Sequence, residues 1–159
     1  PATLGAIVAG TRGDEWTWKP DPAGWAISEV LGHLLREERE DFRVRLACTL
    51  EKPGEAWPPI DPEGDVARHA DIDADPAAML SAFRDERADS IAWLRGLDAP
   101  DWDASYTHAE FGVFRAGDLL ASWADHDALH ARQLIKRVHQ QIQTEAGPYS
   151  CRYAGEWTA

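Results

Sequence analysis

Cysteine is scarce in this chain, and the short motifs of several common enzyme classes are missing. The two cysteines, Cys48 and Cys151, lie far apart, and neither belongs to a CxxC pair. This usage argues against a disulfide framework and against a thiolate metal cluster. The sequence also contains no P-loop, no GxGxxG segment and no GxSxG elbow, so nothing in it indicates nucleotide binding or a serine hydrolase.

Positive charge is also in short supply. The chain has 16 Lys and Arg against 28 Asp and Glu, which gives a formal charge of −12 spread along its length. Such a surface repels both a phosphate backbone and an anionic bilayer. We therefore expect neither nucleic acid nor a membrane as a partner, and a small molecule as the substrate if the protein is an enzyme.

Long hydrophobic runs are lacking as well. No stretch approaches the roughly 20 apolar residues of a membrane span, and the N-terminal PATLGAIVAGTR lacks the basic start and the long apolar middle of a signal peptide. A length of 159 residues is typical of one domain with a core of its own. We expect a single cytoplasmic domain that spans residues 1–159.

Four segments have the pattern of helices. In the longer segments apolar residues recur every three to four positions. Prolines and glycines lie at the ends of the segments, and strand-like alternation is nearly absent. The predicted helices cover residues 2–9, 27–49, 75–96 and 118–143. Long connections separate them, among them a Pro- and Gly-rich loop at 51–65. The pattern predicts an all-α four-helix bundle, in which facing helices can place metal ligands in the core.

Two further segments do not fit the helical pattern. Residues 99–117 combine glycines with aromatic side chains, which favours an irregular or extended stretch that covers one end of the fold. The last segment follows Gly147 and Pro148, and we expect it to pack back on the domain through Tyr149, Tyr153 and Trp157.

His126 and His130 are the most informative residues of the chain. They lie four apart in the fourth predicted helix, and at 100° per residue they share an arc of roughly 80° with Leu119, Trp123 and Leu134. Two imidazoles on successive turns can reach one metal ion. The alternative is that each is a core histidine bonded to a backbone carbonyl or a carboxylate, and the pattern alone leaves the two interpretations about even.

His33 is the third candidate ligand, on the second predicted helix. Periodicity places it about 150° from the main apolar stripe, on a second face with Val30, Glu37 and Val44, so the pattern does not decide whether it is buried. Glu37, one turn further on, is a candidate fourth ligand, a partner of an imidazole or a general base. As one acid of the run REERED, it is more readily interpreted as a solvated residue, because charge runs usually mark solvated faces.

The remaining polar candidates carry less information. Asp125 and Asp127 bracket His126, and one of them could orient its imidazole. We interpret the other histidines as surface or locally hydrogen-bonded residues; they are His69, His108 and His139.

The segments WAISEVLGHLLREERE (25–40) and LLASWADHDALHARQL (119–134) resemble the DinB-like superfamily, and GPYSCRYAGEW (147–157) resembles the usual end of such proteins. This superfamily, with the DinB/YfiT-like fold, includes bacterial thiol S-transferases and mycothiol-dependent maleylpyruvate isomerases. The resemblance implies an up-down-down-up four-helix bundle, often a homodimer. It also implies a divalent ion, commonly zinc or nickel, held by a triad that matches His33, His126 and His130 here.

The leading functional hypothesis is a metal-dependent enzyme that activates water or a low-molecular-weight thiol, as a hydrolase or a thiol S-transferase. A second hypothesis is a metal- or ligand-binding bundle without turnover, in which the histidine triad is structural. A third is an interaction bundle whose histidines bind no metal. Because metal binding needs neutral imidazoles, the first hypothesis predicts that binding and activity weaken below about pH 6.

Overall fold

The computed structural model describes residues 2–59 and 75–158. Its helices are α1 (Ala2–Gly10), α2 (Ile27–Arg36), α3 (Phe42–Glu51), α4 (Pro76–Gly96) and α5 (Ala116–Glu145). A π-helical turn, Glu37–Asp41, joins α2 to α3, so these two helices form one long rod. Short 3-10 helices occur at Gly13–Trp16 and Arg152–Ala154. The four helical segments predicted from the sequence are therefore confirmed, with ends that differ by one or two residues.

Side-chain pairs show how the helices run. Along the rod, Arg39 and then Arg43 bond Glu86 and Ser90 of α4 in the same order, so the rod and α4 are parallel. Along α5 the order is reversed, because His33 lies against His126 whereas the later Glu38 lies against the earlier Trp123. The rod and α5 are therefore antiparallel. These directions agree with the expected up-down-down-up order, which needs a long connection between the two parallel helices.

The core lies in two adjoining clusters. The larger one joins α1, α2, α4 and α5 through fully buried side chains that include Leu31, Phe83 and Leu134. The smaller one surrounds Leu46 of α3 and Trp123 of α5. The helix ends follow from local chemistry: the Asp75 side chain accepts a hydrogen bond from the Ala77 N–H, and Pro76 occupies the first helical position.

The aromatic stretch before α5 forms a short antiparallel hairpin of β1 (Ser105–His108) and β2 (Gly112–Arg115). Ser105 pairs with Arg115 and His108 with Gly112. Tyr106 and Phe114 of the hairpin pack on Trp57, which follows α3, with ring centroids 4.6 and 5.6 Å apart. The hairpin thus covers the end of α3, as predicted for an extended segment.

The C-terminal segment differs in part from the prediction. Trp157 packs on His139 of α5 with ring centroids 5.1 Å apart. Tyr149 and Tyr153, however, are 83% and 105% exposed, so the expectation that they pack on the domain is wrong. The segment lies beside α5, where it lines a surface cavity together with His139 and Gln143, and both tyrosine side chains are exposed to solvent.

The remaining sequence predictions concern the 51–65 loop, His69, the two cysteines and the lack of a membrane span. Residues 60–65 of the predicted loop, and His69, lie outside the described residues. Cys48 and Cys151 are free thiols, both half-buried. Within the described ranges, no helix is long and apolar enough to cross a bilayer.

Candidate metal centre

Helix α5 presents His126 and His130 toward the rod. Both imidazoles are half-buried, and the residues one and two turns away on the same stripe are buried: Leu119, Trp123 and Leu134. The Nε2 atoms of the two histidines lie 3.1 Å apart. The inward orientation predicted from the helical period is therefore correct.

His33 meets this pair from α2. Its Nε2 lies 3.4 Å from Nε2 of His126, and Val30, one turn earlier, is 0% exposed. His33 is thus half-buried beside α5, and beyond the π-helical turn Phe42 of the main stripe also contacts α5 at His126. The π-helical turn inserts an extra residue between α2 and α3. A single 3.6-residue period drawn across the whole rod therefore could not show which face His33 occupies.

The three imidazoles offer nitrogen atoms that all lie within 4.8 Å of one another. Four ligands arranged tetrahedrally around zinc, with Zn–N bonds of about 2.0–2.1 Å, lie roughly 3.3 Å apart. Two of the observed Nε2 separations, 3.1 and 3.4 Å, match this spacing, and all three nitrogens lie within 4.8 Å of one another. The donor set therefore fits a divalent ion of the zinc type.

Hydrogen bonding alone satisfies this arrangement poorly. The Nδ1–H of His130 donates to Oε1 of Gln133 at 2.8 Å, so the Nε2 of a neutral His130 carries a lone pair. The Nε2 of His126 then has one proton or one lone pair, yet it has two nitrogen neighbours. One shared cation would accept all three lone pairs.

Gln133 is a site residue that the sequence analysis missed. Its amide oxygen fixes the tautomer of His130 that leaves Nε2 available, which is the usual role of a hydrogen-bonding partner behind a metal-binding histidine. The available signal was its position three residues after His130, on the same helix face.

Glu37 lies behind His33 and outside the group of converging nitrogens. Its Oε1 is 3.7 Å from Nδ1 of His33, the nitrogen opposite Nε2. Among the residues that the structure describes, the group able to hold an ion contains three histidines and no carboxylate. This position behind the His33 ring agrees with the role of an imidazole partner and not with that of a fourth ligand.

Aromatic rings pack around the histidine triad. The edge of Trp25 approaches His33 with centroids 5.1 Å apart, and Phe42 approaches His126 at the same distance. Phe42 also stacks on Trp123 with centroids 5.8 Å apart. These rings reduce the access of water to the histidines, which strengthens electrostatic interactions at the site.

Burial favours the neutral form of the α5 imidazoles. The pKa of His126 is lowered from 6.5 to about 4, chiefly by burial and also by the neighbouring His130 and Arg87, while Asp127 acts in the opposite direction. Burial also lowers the pKa of His130, against the effects of Gln133 and Asp127. Neutral imidazoles are the form that binds metal.

The other candidate residues lie elsewhere. Asp127 forms a two-pronged ion pair with Arg87 of α4, at 2.6 and 2.9 Å, and Asp125 is exposed. His108 accepts hydrogen bonds from backbone N–H groups in the hairpin turn, and His139 packs on Trp157. The interpretation of His108 as a locally hydrogen-bonded residue is confirmed, whereas His139 is half-buried against an aromatic ring.

The fold and the site together define a class of protein: a four-helix bundle with three converging imidazoles between α2 and α5. The family model described as the DinB superfamily matches residues 1–134. This chain belongs to the DinB superfamily, as the two sequence segments had indicated.

A solved structure has the same fold. YfiT from Bacillus subtilis, described as a probable metal-dependent hydrolase with an unusual four-helix bundle topology, superposes with a TM-score of 0.76 at 19% sequence identity. The match covers 89% of this chain and 81% of YfiT. At this identity the likeness establishes the fold. A comparison with curated proteins finds no match.

Proposed function

We propose that this protein is a metal-dependent enzyme in which His33, His126 and His130 bind one divalent ion, zinc or nickel, through their Nε2 atoms. The observation that carries the proposal is the convergence of three imidazole nitrogens within 4.8 Å of one another. The tautomer set by Gln133 and the lowered pKa of His126 support it, since both favour a free lone pair.

A divalent ion with three imidazole ligands and an open fourth position would lower the pKa of a bound water or thiol and so supply a nucleophile at neutral pH. The chain's own residues prepare the site for this role. Gln133 orients His130, Glu37 lies behind His33, and Trp25 and Phe42 limit water access.

The proposed reaction is hydrolysis or the transfer of a low-molecular-weight thiol to a small-molecule substrate. The description of YfiT as a probable metal-dependent hydrolase supports the first, and the resemblance to thiol S-transferases supports the second. We propose a cytoplasmic enzyme, and the formal charge of −12 favours one that binds neither nucleic acid nor anionic membranes.

The first test is elemental analysis of the purified protein beside a His126→Ala, His130→Ala double variant. We expect about one divalent ion per chain, lost in the double variant. A His108→Ala, His139→Ala double variant is the matched control, because it also removes two imidazoles but leaves the triad intact. If neither the wild-type protein nor the control takes up zinc or nickel, the metal site does not exist.

A metal-loaded protein would then be screened with ester substrates, and with thiols plus electrophiles. Turnover that disappears on chelation and returns with the metal supports the enzyme. The second candidate function is a bundle with a structural ion, which the packing of Trp25 and Phe42 against the triad favours. A metal without an exchangeable water ligand would support this alternative.

A further inference from the structure

The side chain of Arg87 on α4 lies between two carboxylates from the two elements that carry the histidine triad. Its guanidinium bonds Asp127 of α5 at 2.6 and 2.9 Å, and Glu38 of the π-helical turn at 2.8 Å. All three side chains are shielded from solvent, with exposures of 13% for Arg87, 15% for Asp127 and 1% for Glu38. Ion pairs at this depth are screened little by salt.

Aromatic side chains hold the same arrangement. The indole Nε1–H of Trp123 donates to Oε2 of Glu38 at 2.9 Å, the oxygen that Arg87 also contacts. The guanidinium lies 5.3 Å from the ring centroid of Phe83 and 5.8 Å from that of Trp123. Burial lowers the pKa of Arg87, but the hydrogen bonds that Arg87 donates to Asp127 and Glu38 outweigh this effect, so the net pKa is raised. A planar fork is suited to bridge two carboxylates in this way, whereas an ammonium group is not.

The bridge ends beside the candidate metal ligands. Asp127 is the neighbour of His126 in the sequence, and Glu38 lies five residues after His33, in the turn that continues α2. The Nε2 separation between His33 and His126 depends on how α5 is placed along the rod, and Arg87 ties both elements to α4.

We infer that Arg87 is a positioning residue, which holds α5 against the π-helical turn so that His126 and His130 meet His33 at ligand spacing. This inference rests on the proposed function, because it assigns Arg87 a role at the proposed metal site. Arg87 acts through Asp127 and Glu38 and need not touch the ion.

The chain contains a matched control for a purely structural effect. Arg43 of α3 also bonds α4, with Nη2 3.1 Å from Glu86 and Nη1 3.3 Å from the buried Ser90. Its hydrogen bonds join the rod to α4 and not to α5. Loss of Arg43 should therefore weaken the bundle without changing the spacing between α5 and α2.

The test compares wild type with Arg87→Met, Arg87→Lys and Arg43→Met, each checked for folding by circular dichroism. Cobalt(II) is the probe, because its visible absorption reports coordination geometry as well as affinity. We expect both Arg87 variants to bind cobalt about 10–100-fold more weakly, the range for loss of a group that supports metal ligands, and to give altered absorption bands. Arg43→Met should retain the wild-type spectrum, with an affinity within about twofold. Arg87→Lys keeps the charge and serves if Arg87→Met does not fold.

Wild-type affinity and spectrum in a folded Arg87→Lys protein would overturn the inference, and so would an equal loss in Arg43→Met. The imidazole nitrogen resonances of His126 and His130, recorded without metal, separate this inference from the metal proposal. They should shift in Arg87→Lys and not in Arg43→Met. If wild type binds no cobalt, the proposed function fails, while these resonances still decide whether Arg87 positions the histidines.

Discussion

Nε2 of His126 lies 3.1 Å from Nε2 of His130, across one turn of α5. This separation is close to the distance between two nitrogen ligands of one tetrahedral ion, roughly 3.3 Å. Two neutral imidazole nitrogens at this distance can share one proton in a hydrogen bond. Nε2 of His33, however, lies 3.4 Å from the same atom of His126. Because a neutral Nε2 carries one proton or one lone pair, that atom of His126 can form a good hydrogen bond with only one of its two neighbours. The site is therefore better suited to a cation than to a network of hydrogen bonds.

Replacement of Gln133 should weaken metal binding without unfolding the protein. Gln133→Leu removes the acceptor that fixes the His130 tautomer, and we expect a roughly 10-fold or greater rise in the dissociation constant for zinc. Gln133→Glu keeps an acceptor and adds a charge, so its affinity should equal or exceed that of wild type. Competition with a chromophoric chelator measures both. Equal affinities in all three proteins would contradict the assigned role.

The stability of the metal-free protein should fall on acidification. The pKa of His126 is lowered from 6.5 to about 4 in the folded state, so between these values the unfolded chain binds more protons than the folded one. Stability therefore rises with pH across this window and His126 contributes no further change above it. Urea unfolding with EDTA at several pH values should show a smaller slope in His126→Gln than in wild type. Identical slopes would show that His126 is not buried as described.

The same lowered pKa changes the expected pH range of metal binding. Protons compete with the ion only where the imidazoles become charged, and for His126 that lies near pH 4. The pKa of His130 is lowered as well, chiefly by burial, so for the two α5 ligands the loss of binding expected below about pH 6 from an ordinary histidine should move to lower pH. Titrations with zinc at pH 7, 6 and 5 test this. A loss of affinity as steep as that of a solvent-exposed histidine peptide would argue against the burial of the site.

Added metal should raise the melting temperature. Zinc at 100 times its dissociation constant stabilises the folded state by about 2.7 kcal/mol, a rise of roughly 5–10 °C for a domain of this size. His33→Ala removes one of three ligands, and its melting temperature should respond much less. His108→Ala, which leaves the triad intact, should respond like wild type. A zinc response that survives in His33→Ala would show that His33 is not a ligand.

Two adjacent residues of α5 provide a test of the core. Leu134 is 0% exposed and Ile135 is 43% exposed. Leu134→Ala should cost about 2–5 kcal/mol of unfolding free energy because it leaves a cavity among closely packed side chains, while Ile135→Ala should cost less than about 1 kcal/mol. Chemical denaturation measures both. Similar costs for the two substitutions would mean that α5 is rotated about its own axis relative to its orientation in this structure.

Local patterns in the sequence were sufficient to predict the helical segments and the shared face of two of the three candidate ligands. Apolar periodicity and the breaks at proline and glycine depend on nearby residues, so all four helical segments could be predicted. His126 and His130 lie on one helix, and a fixed period of 3.6 residues determines that they share a face. The resemblance to the DinB superfamily supplied His33, which periodicity alone left undecided.

How the His33 side of the site meets the α5 side depends on the packing of the helices. Which segments are helical and which face of α5 is apolar are properties of single helices, so sequence patterns are enough to predict them. The placement of His33 depends on the packing of the rod against α5, and the π-helical turn breaks the period that would predict its face. The roles of Gln133, Glu37 and Arg87 also follow from distances between side chains, and the bridge from Arg87 to Asp127 and Glu38 joins residues of three different helical segments. Such contacts arise when helices pack, and no local period encodes them.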